Sequence, residues 1–400
     1  MSLPNALKRR PELDWLRIII VAMLVPFHTA MTFAPYSWYL RNEQLNLAAQ
    51  GLVNVLDKYH MEMLFLITGA ALFFSLDVRT IKGFILERFQ RLAIPLIFGM
   101  LFIVPPCYWI AAKQFSHYDG SLWEFYPLFW KQNLIPFQND FSPGALWFLW
   151  YLVFYTIALS PVLIFIKRKL SHGFFNKLSM LFENHLGIFA LVIPIALVQI
   201  YSQWVITGDF LVLYYVLFFI YGFFLFSAPG FEKGLIRSGP AAIVIAIITM
   251  VLFLLLIFPT WDKSILGPEF WTSLHGERGS AGFIIFQILI SLCTWSWIVS
   301  LLYLARKFLN FSNRFSAYGN EVVLPFYVVH STSIALIGWW VIHLPWDVLP
   351  KYALNVVLAF LATTGFCELI RLTNITRFLM GMHIRTKTDQ RVTINQVNSK

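Results

Sequence analysis

The stretch ELDWLRIIIVAMLVPFH, residues 12–28, decides how this chain is read. It is apolar enough for a membrane helix, yet Asp14 and Arg17 stand at its start and His28 lies well inside it. An ionisable side chain at bilayer depth is costly and marks a functional site by default. Arg17 and His28 are eleven positions apart, which is roughly 16 Å of helix at 1.5 Å per residue. Arg17 is expected at one membrane face and His28 near the middle.

The rest of the chain repeats the apolar theme. Of 400 residues, 58% are hydrophobic, 18% aromatic and 12% charged, with a mean hydropathy of +0.68. Soluble domains carry about 25% charged residues, so the composition predicts an integral membrane protein. Ten apolar segments approach spanning length: 15–35, 60–77, 92–111, 144–166, 186–203, 210–227, 240–259, 281–304, 322–342 and 350–370. The second, fifth and sixth are shortest against the roughly 20 residues a crossing needs. None alternates apolar and polar residues as barrel strands do. The predicted fold is all-α and polytopic, with about ten transmembrane helices.

Lysine and arginine orient these helices, because cytoplasmic loops carry their excess. Of the 30, 23 fall in one set of loops, including Lys8, Arg9, Arg79, Lys82, Arg306 and Arg371, and 7 in the other. Both termini are therefore expected in the cytoplasm. The net charge of +10 follows from topology, and no basic aromatic module for nucleic acid accompanies it. One membrane-embedded domain is expected over 1–382 and a polar cytoplasmic tail over 383–400. The N-terminus lacks a clear small-residue cleavage site, so it is expected to stay as a helix. Cys107, Cys293 and Cys367 fall in three different apolar segments, which suits packing better than a disulfide framework or metal site.

Four groups of residues bear on chemistry. Asp14 and Arg17 share a helix face and suit a pair, although Arg17 equally suits snorkelling to headgroups. His28 is a candidate for proton chemistry, or a neutral histidine bonded to a neighbouring helix. In ERFQRLAIP, Arg88 and Arg91 lie three apart, and two guanidiniums on one face suit phosphate or carboxylate. Positive-inside decoration explains them equally well. In YGNEVVLPFYVVHSTS, His330 lies nine residues past Glu321, about 14 Å along a helix. That is close to the depth of His28, which hints at one shared polar cavity or else at two unrelated hydrogen bonds. Trp147, Trp150 and Tyr151 form either an aromatic belt or a platform for a sugar ring. No metal spacing, P-loop or nucleophile elbow is present.

Together these motifs resemble the acyltransferase-3 family of membrane O-acyltransferases. The resemblance rests on Arg17, ten residues, then His28; on Arg88, Arg91 and Pro95; and on MEMLFLITGAALFF at 61–74. It also rests on GALWFLWYLVFY at 144–155 and GNEVVLPFYVVHSTS at 319–333, which are most like the family's glucan-biosynthesis branch. It runs over residues 11–382. It implies transfer of an acyl group, acetyl or succinyl, from cytoplasmic acyl-CoA to a hydroxyl of an extracytoplasmic or lipid-linked carbohydrate. By that likeness His28 is the general base, and Arg17, Arg88 and Arg91 bind the donor. The family's arginine motif often begins with a base, whereas this chain has Glu87 there.

On this reading Asp14 orients Arg17, and His330 bonds the acceptor or the developing oxyanion. Glu321, Trp147, Trp150 and Tyr151 meet the acceptor. An acyl-histidine route stays open. No tightly bound cofactor and no metal are expected. The partners are acyl-CoA, a glycan or lipid-linked sugar and membrane lipids. The expected location is the bacterial inner membrane. The rival reading is a secondary transporter or flippase of a sugar-linked substrate, whose sign is pseudo-symmetric halves. A non-catalytic receptor or scaffold is a further rival.

Overall fold

The computed structural model describes residues 10–36, 38–75, 81–133, 143–169, 172–184, 186–205, 211–258 and 279–385. Lys8, Arg9 and Arg79 of the topology count, loop residues 134–142 and tail residues 386–400 lie outside the described residues. Among the described residues all regular structure is helical. Seven helical stretches are long and apolar enough to cross a membrane: Pro11–Thr32, Ile85–Ser116, Gly144–Lys169, Pro229–Ile257, Ala281–Phe308, Arg314–Val341 and Val348–Arg371. The expected segments 60–77, 186–203 and 210–227 fall on helices of 16, 14 and 15 residues. These are the segments the sequence marks as shortest.

In chain order the helices are α1 (Pro11–Thr32), α2 (Leu47–Leu56), α3 (His60–Ser75), α4 (Ile81–Phe98), α5 (Pro105–Ser116), α6 (Leu122–Asn133), α7 (Trp147–Lys169) and α8 (His172–Met180). There follow α9 (Val192–Val205), α10 (Leu211–Leu225), α11 (Pro229–Ile257), α12 (Ala281–Phe308), α13 (Arg314–Val341), α14 (Val348–Arg371) and α15 (Asn374–Leu379). They form two compact units. The first comprises Met1–Ile20, Gly51–Phe84 and Ile157–Ser312, and the second Val21–Gln50, Ile85–Thr156 and Asn313–Lys400.

In the first unit α3 and α10 touch backbone to backbone. A Cβ on Gly69 would lie 1.9 Å from the Phe219 carbonyl oxygen, and one on Gly222 only 1.8 Å from that of Leu66. Small residues that admit such contact drive helix association where the solvent is lipid. Helices α11 and α12 pack through Met250, Phe253, Phe286, Ile290 and Cys293. The remaining face of α11 exposes Val244, Ile247, Ile248, Val251 and Leu252, the surface a lipid-facing helix presents. Near the chain start, Glu12 is buried and pairs with Arg10 (3.2 Å) and Arg306 (3.1 Å). Glu232 receives Arg10 through two bonds of 2.9 and 3.0 Å.

The second unit is shaped by two adjacent prolines. Pro105 and Pro106 have no N–H, so the carbonyls of Leu101 and Phe102, four residues earlier, get no helical donor. The backbone widens into a π-turn over Gly99–Ile103. Trp130 Nε1 donates to Leu101 O at 3.1 Å and the Tyr126 hydroxyl to Phe102 O at 3.0 Å. Both donors come from α6, whose start is closed by a Ser121–Glu124 capping box. The next carbonyl, Ile103 O, accepts from Thr332 of α13 at 2.5 Å. A Cβ on Gly99 would meet Leu146 Cδ1 at 2.5 Å and Val328 Cγ1 at 3.2 Å. The double proline thus ties α6 and α13 to one turn.

Candidate active site

His28 and His330 lie in the second unit and converge there. Their ring centroids are 5.1 Å apart with planes at 48°. Each follows a proline within its own helix, Pro26 in α1 and Pro325 in α13. His28 Nδ1 lies 3.0 Å from Leu24 O, and His330 Nδ1 2.5 Å from Tyr327 O. A carbonyl only accepts, so both Nδ1 atoms carry the hydrogen. This tautomer leaves a lone pair on each Nε2, the form a general base needs. His330 is fully buried, and its Nε2 makes no hydrogen bond within the protein.

Aromatic rings enclose the pair. Trp38 stacks on His28 at 5.8 Å, Phe27 meets it edge-on at 4.9 Å, and Tyr327 lies 5.6 Å from His330. Ala145 joins these groups to the GALW segment. Its N–H donates to the Tyr39 hydroxyl at 3.0 Å and its carbonyl accepts from the Tyr327 hydroxyl at 2.5 Å. Gly144 has φ +54°, and a Cβ there would sit 2.5 Å from Tyr39 Oη. The glycine is therefore required on both counts. Trp147, Trp150 and Tyr151 follow at the start of α7 and are half-buried, with Trp147 and Tyr151 edge-to-face at 5.5 Å. Phe148, between them, packs on Tyr327 at 5.6 Å.

A charged cluster occupies another part of the same unit. Glu321 Oε1 accepts from Arg377 at 2.7 Å and Oε2 from Arg371 at 3.0 Å. Arg377 is buried and also donates to His383 O at 2.7 Å. Arg91 lies 3.6 Å from Glu87, so the residue that departs from the family pattern draws on its charge. A Cβ on Gly381, which has φ +70°, would lie within 2.8 Å of Arg91 O, Leu324 and Pro95. The segment after α15 thus folds back against α4 and α13, and Arg91, Glu321, Arg371 and Arg377 share one end of the unit. Arg88 is half-buried on α4 one turn before Arg91.

Glu321, expected at the acceptor, has both oxygens engaged by arginines. In the sequence Arg371 and Arg377 carry only the cytoplasmic-side signal of a basic residue. Their acidic partner lies 50 and 56 positions away. Asp14 and Arg17 are half-buried on the part of α1 that belongs to the first unit. Among the described residues no group of three or more His, Cys, Asp or Glu is placed to hold a metal.

The match that decides the family covers residues 10–372, the span of an acyltransferase domain model, acyltransferase-3. The chain belongs to the acyltransferase-3 family. It is therefore an acyl-transferring enzyme, embedded in the membrane by its apolar helices. Among curated proteins, this acyltransferase is similar to glucans biosynthesis protein C of Escherichia coli strain K12, at 22% identity over 355 residues. The protein of the same name from E. coli O157:H7 is 21% identical. Each alignment covers 84% of this chain and 85% of the relative. No solved structure matches this acyltransferase.

Proposed function

We propose that this acyltransferase moves an acetyl or succinyl group from cytoplasmic acyl-CoA to a hydroxyl of an extracytoplasmic or lipid-linked carbohydrate, in a bacterial inner membrane. The carbohydrate class follows the name of its E. coli relatives. Ten crossings with both termini inside follow from the ten apolar segments and the 23-to-7 division of basic residues. One membrane domain extends to residue 382, with the polar tail beyond it.

The observation that carries the mechanism is the pair of histidine rings 5.1 Å apart, each with Nδ1 held by its own helix. His28 Nε2 takes the proton from the acceptor hydroxyl as its oxygen attacks the thioester carbonyl carbon. The carbon–sulfur bond then breaks, and the proton passes from His28 to the departing thiolate. A positioned base contributes about 10²–10⁴-fold. His330 Nε2 also carries a lone pair, so it accepts a hydrogen bond from the acceptor. Stabilising the oxyanion would require it to gain a proton first. Arg88 and Arg91 attract the anionic donor, and Arg371 and Arg377 add to the field. Arg17, oriented by Asp14, keeps the donor-binding role that the family likeness implies. Trp147, Trp150 and Tyr151 form the acceptor rim. Glu321 acts only through the arginines it holds, in the field that draws the donor. The donor is a substrate, and no bound cofactor enters the scheme.

The test is transfer from labelled acetyl-CoA and succinyl-CoA to a glucose oligomer by the purified protein in lipid discs. His28→Ala should abolish transfer while membrane insertion and melting temperature stay unchanged. Normal acylation by that variant would refute the role of His28.

A further inference from the structure

Helix α14 faces lipid with most of its length, exposing Leu349, Val357, Leu361 and Leu369. Its buried stripe runs through Lys351, Asn355, Ala359, Thr363 and Cys367 at intervals of four. A membrane helix buries small or apolar residues on such a stripe, and Ala359, Thr363 and Cys367 conform. Lys351 and Asn355 do not. Asn355 is 0% exposed, and neither its amide nitrogen nor its oxygen has a hydrogen-bond partner. Lys351 is 8% exposed and donates to Ile342 O at 2.8 Å and Asn42 Oδ1 at 3.3 Å. No carboxylate among the described residues pairs with it, and one of its three N–H bonds remains. Asn42 in turn donates its backbone N–H to Thr32 O at 2.8 Å. The hydroxyls of Thr29 and Thr32, just past His28 on α1, are buried and unpartnered as well. Thr363 and Thr364, by contrast, bond back to carbonyls four residues earlier.

Unpaired buried polar groups are rare in proteins and call for an explanation. We propose that Asn355 and Lys351 form a subsite for hydroxyl groups of the carbohydrate acceptor. This deepens the proposed function and rests on its acceptor class. The amide nitrogen donates to one hydroxyl oxygen, the amide oxygen accepts from a neighbouring hydroxyl, and the third N–H of Lys351 donates to either. A carboxylate or a fully ionised phosphate would satisfy Lys351 but has no hydrogen for Asn355 Oδ1, whereas a neutral diol offers both a donor and an acceptor.

Position gives the proposal a second consequence. A Cβ on Gly338 would lie 2.9 Å from Asn355 Nδ2. Gly338 is eight residues past His330 on α13, roughly 12 Å along the axis, and on the opposite side of His330 from Glu321. The hydroxyls held by Asn355 therefore belong to a sugar unit other than the one acylated beside His28. The acceptor is an oligosaccharide, approached from the side remote from the arginine cluster.

The test compares transfer to glucose and to a neutral glucose pentamer by the wild type, Asn355→Ala, Asn355→Leu and Lys351→Met. Asn355→Leu keeps the forked shape and the number of side-chain heavy atoms while removing the polar groups, so it serves where the alanine variant does not fold. The wild type should prefer the pentamer. Both Asn355 variants should raise KM for the pentamer about 10-fold, the loss of two neutral hydrogen bonds, with kcat and KM for the donor unchanged. The preference for pentamer over glucose should shrink with it. A wild-type pentamer KM in folded Asn355→Leu and Lys351→Met would overturn the subsite and leave the acyltransfer reading standing. A pentamer bearing phosphate that binds better than the neutral one, and only through Lys351, would overturn the neutral-diol assignment. Failure of the wild type to acylate or bind any glucose oligomer would overturn the subsite together with the acceptor class.

Discussion

Replacing His28 and His330 by alanine, singly and together, tests whether the two rings act as one device. Loss of a general base costs about 10²–10⁴-fold, or about 2.7–5.4 kcal/mol at 1.36 kcal/mol per tenfold. Loss of one hydrogen bond from His330 to a neutral hydroxyl costs about 0.5–1.5 kcal/mol, roughly 2- to 13-fold. In the proposed scheme both nitrogens address the same hydroxyl, an arrangement that ring centroids 5.1 Å apart allow. Once His28 is gone, aiming that hydroxyl at it has no further value. The second substitution should then cost less than about twofold, and the coupling energy should be about 1 kcal/mol, within the range for residues in contact. The assay is the initial rate of label transfer from acyl-CoA to the glucose oligomer, with the melting temperature of each variant measured alongside. Two factors that simply multiply in the double variant would show that the histidines act independently and would refute the shared-hydroxyl scheme.

Three further outcomes are expected. Arg88→Ala and Arg91→Ala should each raise the KM for acyl-CoA about 10-fold or more, since a charged hydrogen bond is worth about 1.5–3 kcal/mol; unchanged donor saturation in both would mean that they only set topology. Gly144→Ala forces a side chain into φ +54° and against Tyr39 Oη, and should lower stability by about 1–2 kcal/mol and slow transfer by loosening the Ala145 clamp; an unchanged melting curve and rate would refute that role. Gly222→Ala drives a methyl group to 1.8 Å from Leu66 O, so α3 and α10 must part, at a cost of about 1–3 kcal/mol, read as a lower melting temperature in detergent. Wild-type stability there would show that the helices separate freely.

Much of the helical framework is legible along the chain. Apolar length marked each of the seven long spans, and the three segments it marked as short lie on the 14- to 16-residue helices α3, α9 and α10. The π-turn was not read, although Pro105–Pro106 announces it, because proline shows that two carbonyls lose their donor and not which side chains replace it. Trp130 and Tyr126 do so from a helix about 25 residues on.

The candidate site divides along the same line. Residue spacing measures distance along a helix axis, because the rise per residue is constant. The similar depths of His28 and His330 could therefore be computed from the chain alone. Spacing carries no information on how a helix is rotated against its neighbours. The facing of the two rings, the clamp of Tyr39 and Tyr327 on Ala145, and the capture of Glu321 by Arg371 and Arg377 were settled only by packing. Asn355 is the plainest case. Its position on an apolar helix is visible in the sequence, but the missing partners of its amide are a property of the surfaces that close around it. The sequence by itself determined a membrane-embedded acyltransferase with histidines at a common depth. The tertiary structure decided which groups meet at that depth, because contact depends on rotation about each helix axis and on neighbours hundreds of residues away.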